Sequence, residues 1–322
     1  MASGFWDRLG RPVMALAPMA NVTDAAFRRM FAECGKPDVF WTEFVSVEGL
    51  LSRGREKLLV DFWFSADEHP IVAQVFGSKP EQFEAVGPLI RDLGFDGIDI
   101  NMGCPDRGVE RQKAGAALIK DPERAKEIIR AAKRGAGGLP VSVKTRLGYA
   151  ASEIETWVPA LLEEGIAALT MHLRTRAEMS AVDAHWELAP RIVALRDAIA
   201  PQTLVLGNGG VMSLAEAHAR VRETGVDGVM AATGVFGNPW FFSGKEPGLE
   251  ERLRRMLRHT DLFEELFAGI KNFEVMKKHY KAYVSGFDGA RELRAELMAA
   301  RAAGGVRRIT EAFIAGLGAA VE

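Results

Sequence analysis

The stretch PEQFEAVGPLIRDLGFDGIDIN, residues 80–101, contains one helix followed by one strand. An amphipathic helix is predicted over Pro80–Leu93, because apolar residues recur on one face, at Phe83, Val86, Leu89, Ile90 and Leu93. The short apolar run Gly97–Asn101 then predicts a strand. A helix that leads directly into a short apolar strand is the repeating unit of proteins built on a parallel sheet.

The same unit recurs along most of the chain. Short β-rich runs lie near Val13–Ala17, Val39–Thr42, Ile71–Phe76, Gly97–Asn101, Val141–Thr145, Ala168–His172, Thr203–Gly207 and Gly228–Ala232. The helices predicted between them include Pro122–Arg134, with Asp121 as N-cap, and Ser213–Thr224, where Ser213 and Glu216 predict a capping box. Eight such units predict an α/β fold, a (β/α)8 TIM barrel. A doubly wound open sheet is the rival fold, but the segment after the first strand lacks its Gly-x-Gly-x-x-Gly turn.

The pattern changes after Phe242. Ser243–Leu249 is rich in glycine and proline and predicts a linker, and from Glu250 onward only helices are predicted. Breaks between these helices are expected near Ala268–Gly269, Gly286–Gly289 and Gly304–Gly305. We therefore expect a catalytic barrel over residues 1–243 and a small C-terminal helical bundle of three or four helices over residues 244–322.

The composition is that of an ordinary globular protein, with 48% hydrophobic and 26% charged residues among 322. The chain has no apolar run of about 18 residues and no secretory signal, so we expect no membrane contact. Two cysteines, Cys34 and Cys104, are too few for a disulfide scaffold or a zinc site, which favours a cytoplasmic protein without metal. The net charge is −2, yet residues 244–322 carry +2, so that part is expected to meet an anion.

Polar residues follow the predicted strands at the end where barrel enzymes carry their chemistry. They include Gln74, Asn101, Cys104, Lys144, Arg146, His172, Arg174, Arg176 and Asn208. Gly207–Gly210 and the helix that opens at Ser213 predict a phosphate cradle of backbone N–H groups, with Gly228 and Gly234 nearby. Each feature also has a structural alternative: a buried thiol at Cys104, a solvated lysine at Lys144, a core histidine at His172, and a simple tight turn for the glycines.

Several of these stretches together resemble one family. They are Ala17–Asp24, Gln74–Gly77, Asp99–Pro105, Ala114–Leu118, Val143–Gly148, His172–Arg176, Gly207–Gly210 and Gly237–Trp240, followed in the tail by Met276–Tyr283 and Ala290–Arg294. In this order they are similar to the FMN-dependent tRNA-dihydrouridine synthase family, and they cover nearly the full chain. Asn-Met-Gly-Cys-Pro, residues 101–105, is the most specific of the motifs.

The resemblance implies a flavin site. Pro18, Met19 and Ala20 would line FMN, Gln74 and Lys144 would bind its isoalloxazine ring, and His172 would lie beside the ring and ribityl chain. Lys144 would offer its charge to the N1–O2 edge of the reduced, anionic flavin. Asn208, Gly209 and Gly210 would hold the phosphate. Where the family usually has Gly-Arg after the eighth strand, this chain has Ala232-Thr233, whose backbone N–H groups could reach the phosphate without the arginine charge.

The resemblance also implies the reaction, the reduction of the C5–C6 double bond of uridines in tRNA. NADPH or NADH would reduce FMN, hydride would pass to C6, and Cys104 would protonate C5 as general acid. Asn101 would neighbour the uracil, and Arg146 and Arg174 would contact the substrate. Glu178-Met-Ser180 stands where the family commonly has a tyrosine, so the choice of uridine is open at this point.

The tail would bind tRNA by the same resemblance. Lys277 and Lys281 share one helical face, and Arg291 and Arg294 share another, while Lys278 and Tyr283 lie close by. Such residues contact phosphates and stack on bases. A solvated helical face is the alternative. Family resemblance suggests a monomer on its RNA.

Three other functions are considered. An FMN-barrel reductase or dehydrogenase acting on a small molecule, similar to dihydroorotate dehydrogenase or an ene-reductase, would share the flavin site but needs no basic helical appendage. A non-catalytic RNA-binding protein would have no use for Cys104, Lys144 and His172 together. A phosphate-sugar barrel enzyme without flavin is the third.

Overall fold

The computed structural model describes residues 4–319. Its strands are β1 (Val13–Leu16), β2 (Phe40–Trp41), β3 (Val45–Ser46), β4 (Ile71–Phe76), β5 (Gly97–Met102), β6 (Val141–Arg146), β7 (Ala168–His172), β8 (Leu204–Asn208) and β9 (Gly228–Ala231). The eight predicted strands are confirmed. The strand β3 was not predicted.

The sheet is a parallel barrel. The strand order is β1-β9-β8-β7-β6-β5-β4-β2, with β3 pairing the end of β4, and a parallel bridge between Ala15 and Val39 brings β1 back beside β2. Inside the ring, alternate strand residues such as Val13, Val72 and Leu206 pack on Phe5, Trp6 and Trp41. The predicted barrel is therefore confirmed, and these side chains form a packed core inside it.

Helices cover the barrel and continue beyond it. They are α1 (Ala25–Cys34), α2 (Val47–Leu50), α3 (Arg55–Leu59), α4 (Pro80–Asp92), α5 (Arg107–Arg111), α6 (Pro122–Gly135), α7 (Ile154–Leu162), α8 (Ala189–Ile199), α9 (Leu214–Thr224), α10 (Leu249–Phe267), α11 (Lys277–Tyr283), α12 (Ala290–Ala299) and α13 (Ala303–Ala319). Short 3-10 turns include Gly115–Lys120 and Thr233–Val235. None of these helices, within residues 4–319, is long and apolar enough to cross a membrane.

The predicted helix starts are confirmed in part. The Asp121 carboxylate accepts from the Arg124 N–H at 3.1 Å, and the Ser213 hydroxyl accepts from the Glu216 N–H at 3.1 Å. The reciprocal half of the predicted capping box is wrong: the Glu216 carboxylate accepts from the N–H of Met212, at 2.8 Å. This displaced bond orders the turn between β8 and α9.

The last four helices share one core, and α10 and α11 contact α1. Their core contains Leu253, Phe263 and Tyr280 and takes in Ala25 and Met30 of α1. The break predicted near Gly304–Gly305 is found slightly earlier, at Ala300–Ala302, and both glycines lie in the first turn of α13. The other two predicted breaks fall between helices, at residues 268–276 and 284–289.

Two buried histidines lie in this core without hydrogen bonds. His259 is 0% and His279 1% exposed, their ring centroids are 4.7 Å apart, and none of their four ring nitrogens has a partner among residues 4–319. Phe27 packs against both rings. Burial lowers the pKa of His259 to about 3 and holds the pKa of His279 well below 6.5. Both imidazoles are therefore neutral in the folded protein.

We expect this pair to make the fold sensitive to acid. Below the unfolded-state pKa of about 6.5, these histidines bind protons in the unfolded chain but stay neutral in the folded chain. The free energy of unfolding therefore decreases as the pH decreases. The expected loss in the free energy of unfolding between pH 7 and pH 5 is about 2 kcal/mol per histidine. Denaturant unfolding of the wild type and of His259→Phe at both pH values measures it. Between pH 7 and pH 5, the free energy of unfolding of His259→Phe should decrease by about 2 kcal/mol less than that of the wild type. An equal decrease in both proteins would contradict the prediction.

Candidate active site

The carboxyl ends of the strands surround a cleft of about 220 Å³. Its walls include the predicted residues Pro18, Met19, Asn101, Cys104, Lys144, Arg146, His172, Asn208 and Ala232. Ala20 lies one residue beyond this wall and is exposed. The half-buried ring of Phe44 also lines the cleft and was missed from the sequence, because it lies in the loop before the unpredicted strand β3. A larger cavity, of about 540 Å³, lies near the amino ends of β6 and β7, away from these polar groups.

Cys104 lies on a loop whose backbone is held by hydrogen bonds. The side-chain oxygen of Asn101 accepts from the N–H groups of Gly103, at 3.1 Å, and Cys104, at 2.9 Å. The carbonyl of Cys104 accepts from the N–H of Ala116 at 3.0 Å. The side-chain oxygen of Asn101 thus holds the loop in shape. The prediction that Asn101 neighbours the uracil did not include this structural role.

Gly115 makes room for this loop. Its φ of +61° lies in the left-handed region, and a Cβ there would be 2.6 Å from the carbonyl oxygen of Cys104. A side chain at this position would have to displace the loop backbone. The Ala-Gly-Ala pattern at residues 114–116 belongs to the family resemblance, but this close approach depends on the packing of two loops and cannot be predicted from the pattern.

The Cys104 thiol is protonated at neutral pH. Burial raises its pKa, and this outweighs a hydrogen bond from the backbone of Asp106, which lowers the pKa. A thiol that keeps its proton can donate it to a carbon in the cleft, whereas a nucleophilic cysteine needs the opposite shift.

Lys144 brings a half-buried positive charge to the same cleft. Its ammonium group donates to the Asn208 side-chain oxygen at 3.1 Å. Burial, and next the charge of Arg146, lower the pKa of Lys144 to about 8. A cation in this setting favours an anionic ligand beside it.

An acidic residue behind Lys144 was missed. Asp99 is fully buried; it accepts from Gln74 Nε2 at 2.7 Å and from Ser142 Oγ at 2.5 Å. Burial raises its pKa to about 6. The alternation along β5 places Asp99 and Asn101 on the same inward face, which is the signal that could have found it. The Gln74 amide, bound to Asp99 and at 3.0 Å to Asn101, lies behind the cleft wall.

His172 is a neutral imidazole. Burial, and then the charges of Lys144, Arg146 and Arg174, hold its pKa far below the usual range. Arg174 Nη1 lies 3.1 Å from His172 Nε2; because arginine only donates, Nε2 accepts, which assigns the ring proton to Nδ1. Arg174 also donates to the Val182 carbonyl at 2.6 Å.

Backbone N–H groups at and near the glycine turn after β8 are available to bind a ligand. Gly209 and Gly210 have φ values of +135° and +72°. Among residues 4–319, no acceptor is found for the N–H groups of Gly210, Ala232 and Thr233, and α9 begins just beyond. The Asn208 side chain, predicted to hold phosphate, instead bridges Lys144 and the Met230 carbonyl, the latter at 2.7 Å.

The dihydrouridine synthase (Dus) family model matches residues 15–315 of this chain. The chain belongs to the dihydrouridine synthase family. It is 43% identical over 318 residues to the probable tRNA-dihydrouridine synthase 2 of Bacillus subtilis strain 168, covering 97% of both chains. It is 44% identical over 319 residues to the probable tRNA-dihydrouridine synthase of Staphylococcus aureus strain Mu50, covering 97% of this chain and 96% of the relative.

The fold of this chain is also similar to that of two solved enzymes. Morphinone reductase superposes with a TM-score of 0.54 at 12% identity, over 76% of this chain and 87% of that one. An amine oxidase acting on 6-hydroxypseudooxynicotine, from Pseudomonas geniculata N1, superposes with a TM-score of 0.53 at 14% identity, over 71% of this chain and 46% of that one. At such identities the likeness concerns the barrel alone.

The residues predicted to bind RNA differ in how exposed they are and in what they contact. Lys281 and Arg291 are exposed, Lys277 pairs with Glu274 at 2.6 Å, and Arg294 donates to the Val284 carbonyl at 2.7 Å. Tyr283 is 1% exposed, so it belongs to the helical core and has no free ring face for a base; that expectation is wrong. Lys278 donates to the carbonyl of Asn21 in the loop after β1.

Proposed function

We propose that this chain is a flavin-dependent tRNA-dihydrouridine synthase that reduces the C5–C6 double bond of uridine in tRNA. The observation that carries the proposal is the pairing, in one cleft, of a protonated Cys104 with the half-buried cation Lys144. A proton donor and a site for an electron-rich ring are the two requirements of this reduction. Family membership supports the same reaction.

The residues of the cleft fit FMN. Pro18 and Met19 offer an apolar wall with Ala20 at its edge, Lys144 offers a cation, and His172 offers a donor at Nδ1. When bound, FMN supplies the hydride that C6 of uridine accepts. Gln74 acts in this proposal through Asn101 and Asp99, which keep the inner wall in place.

The phosphate of FMN is proposed to lie at the glycine turn. Free N–H groups of Gly210, Ala232 and Thr233 and the N-terminus of α9 suit an anion there. Arg174 has its Nη1 3.3 Å from a Cβ built on Gly209 and its Nη2 3.8 Å from one built on Gly210. The positive charge of Arg174 therefore lies beside the turn. It takes the place of the arginine that the family usually has at the position of Thr233 in this chain.

Cys104 is proposed to protonate C5 of the bound uracil. Burial keeps the proton on the thiol at neutral pH, and the bonds of Asn101 and Ala116 to its loop hold the sulfur at the cleft. The uracil must leave its stack to reach a cleft at this depth, so an unpaired or extruded uridine is the expected substrate.

Further proposals concern partners and organisation. We propose NADPH as reductant, with NADH as the alternative, and a monomeric cytoplasmic enzyme without metal. Residues 1–243 would form the catalytic domain and residues 244–322 a domain that grips tRNA. The exposed cations Lys281 and Arg291 support that role, as does the net charge of +2 over this segment.

The proposal is tested by mass spectrometry of nucleosides. Purified protein with FMN and NADPH is incubated with tRNA that lacks dihydrouridine, and uridine should gain the mass of two hydrogens. Omission of NADPH is the control. A protein that holds flavin and oxidises NADPH, yet leaves tRNA unchanged and reduces a small unsaturated ring, would instead be the small-molecule barrel reductase.

A further inference from the structure

Arg146 was expected to contact substrate, but its Nε and Nη1 groups donate to carbonyl groups of two loops. It is 7% exposed, and its Nε donates to the Gly103 carbonyl at 2.8 Å. Its Nη1 donates to the carbonyls of Thr175, at 3.1 Å, and Met179, at 3.0 Å. One guanidinium thus joins the loop that carries Cys104 to the segment after β7.

A second pair joins the same two segments from outside. Arg176, on the segment after β7, makes a two-pronged ion pair with Glu110 of α5, with Nε 2.8 Å from the carboxylate. α5 directly follows the Cys104 loop and begins at the N-cap Asp106. The loop is therefore tied at both sides of the thiol to residues 173–182, while Asn101 holds it from below.

We propose that Arg146 is a positioning residue that fixes the Cys104 thiol for proton transfer by clamping its loop to the segment after β7. This inference rests on the proposed function, because the thiol matters only if it protonates a substrate. Arginine suits the task, since its planar fork presents several fixed donors, whereas lysine is a point charge on a flexible stem. Without the fork, three carbonyl groups lose their donor and the loop gains freedom.

The kinetic test uses Arg146→Met and Arg146→Lys, with Arg111→Met as matched control. Arg111 is exposed on the adjacent helix α5, where its Nε donates to the carbonyl of Arg107. Stopped-flow oxidation of reduced FMN at saturating tRNA should slow about 100-fold in both Arg146 variants, as expected for a displaced reacting group. The Kd for tRNA should stay unchanged, and Arg111→Met should match the wild type in rate.

A chemical test is independent of tRNA. Alkylation of Cys104 by iodoacetamide is followed by peptide mass spectrometry. It should be about tenfold faster in the Arg146 variants than in the wild type, because a tenfold change corresponds to about 1.4 kcal/mol of lost stability in the loop. Cys34, half-buried on α1, serves as the internal standard and should not change. Flavin content and thermal unfolding confirm that each variant folds.

Three results would overturn the clamp: unchanged Cys104 alkylation, a weaker Kd for tRNA with an unchanged rate, or full rescue by Arg146→Lys, which would assign the effect to charge. If the wild type does not reduce tRNA while Cys104 alkylation still accelerates in Arg146→Met, the proposed function fails and the clamp on the loop stands.

Discussion

Replacement of Cys104 by alanine is expected to slow dihydrouridine formation about 10²–10⁴-fold, the usual contribution of a positioned general acid. The sulfur is the only part of the residue that is lost, since Asn101 and Ala116 bind its backbone. The variant should therefore fold, bind flavin and accept electrons from NADPH at the wild-type rate. Single-turnover mixing of the reduced variant with tRNA measures the affected step directly.

Two companion variants make this result interpretable. Cys34→Ala removes the other cysteine, whose thiol lies on α1 against the C-terminal helices, and should keep full activity. Cys104→Ser retains a hydroxyl of higher pKa and should regain little of the rate. If Cys104→Ala reduces uridine as fast as the wild type, the thiol has no part in proton transfer and another acid must be sought.

The second large effect is expected at Arg28, in α1. Replacement by methionine should lower the free energy of unfolding by about 3–5 kcal/mol, the cost of leaving one member of a buried ion pair alone. Arg28 and Glu68 are both 0% exposed, with Nε and Oε2 2.5 Å apart. Arg28 also donates to the carbonyls of Thr23, at 2.6 Å, and Trp63. Denaturant unfolding at neutral pH measures the loss.

An exposed pair provides the control for Arg28. Arg134 bonds through two nitrogens to Glu84 on the helix surface, where both side chains are about half exposed, and Arg134→Met should cost less than about 1 kcal/mol. The double variant Arg28→Met with Glu68→Leu should recover part of the stability, because it removes the stranded carboxylate. Equal losses in Arg28→Met and Arg134→Met would show that burial of the pair has no energetic consequence.

The histidine pair and the clamp of Arg146 could not be read from the sequence. His259 and His279 lie on different helices, and nothing in either helix indicates that their rings pack together. The family resemblance implied that Arg146 contacts the substrate, yet its acceptors are backbone carbonyls 43, 29 and 33 residues away. Every residue has a backbone carbonyl, so the pattern of side chains in the sequence does not show which carbonyls will accept a hydrogen bond from Arg146.

By itself, the sequence determined the repeating units, the barrel and the rim residues. Periods of 2 and 3.6 residues depend on local backbone geometry, and parallel strands bring their carboxyl ends together whatever the details of packing. Only the tertiary structure decided that Asn101 shapes the Cys104 loop, that Gln74 and Asp99 lie behind it, and that Asn208 bonds to Lys144. These contacts depend on strand register and on how loops far apart in sequence pack together, and such distances are set by the closed barrel as a whole.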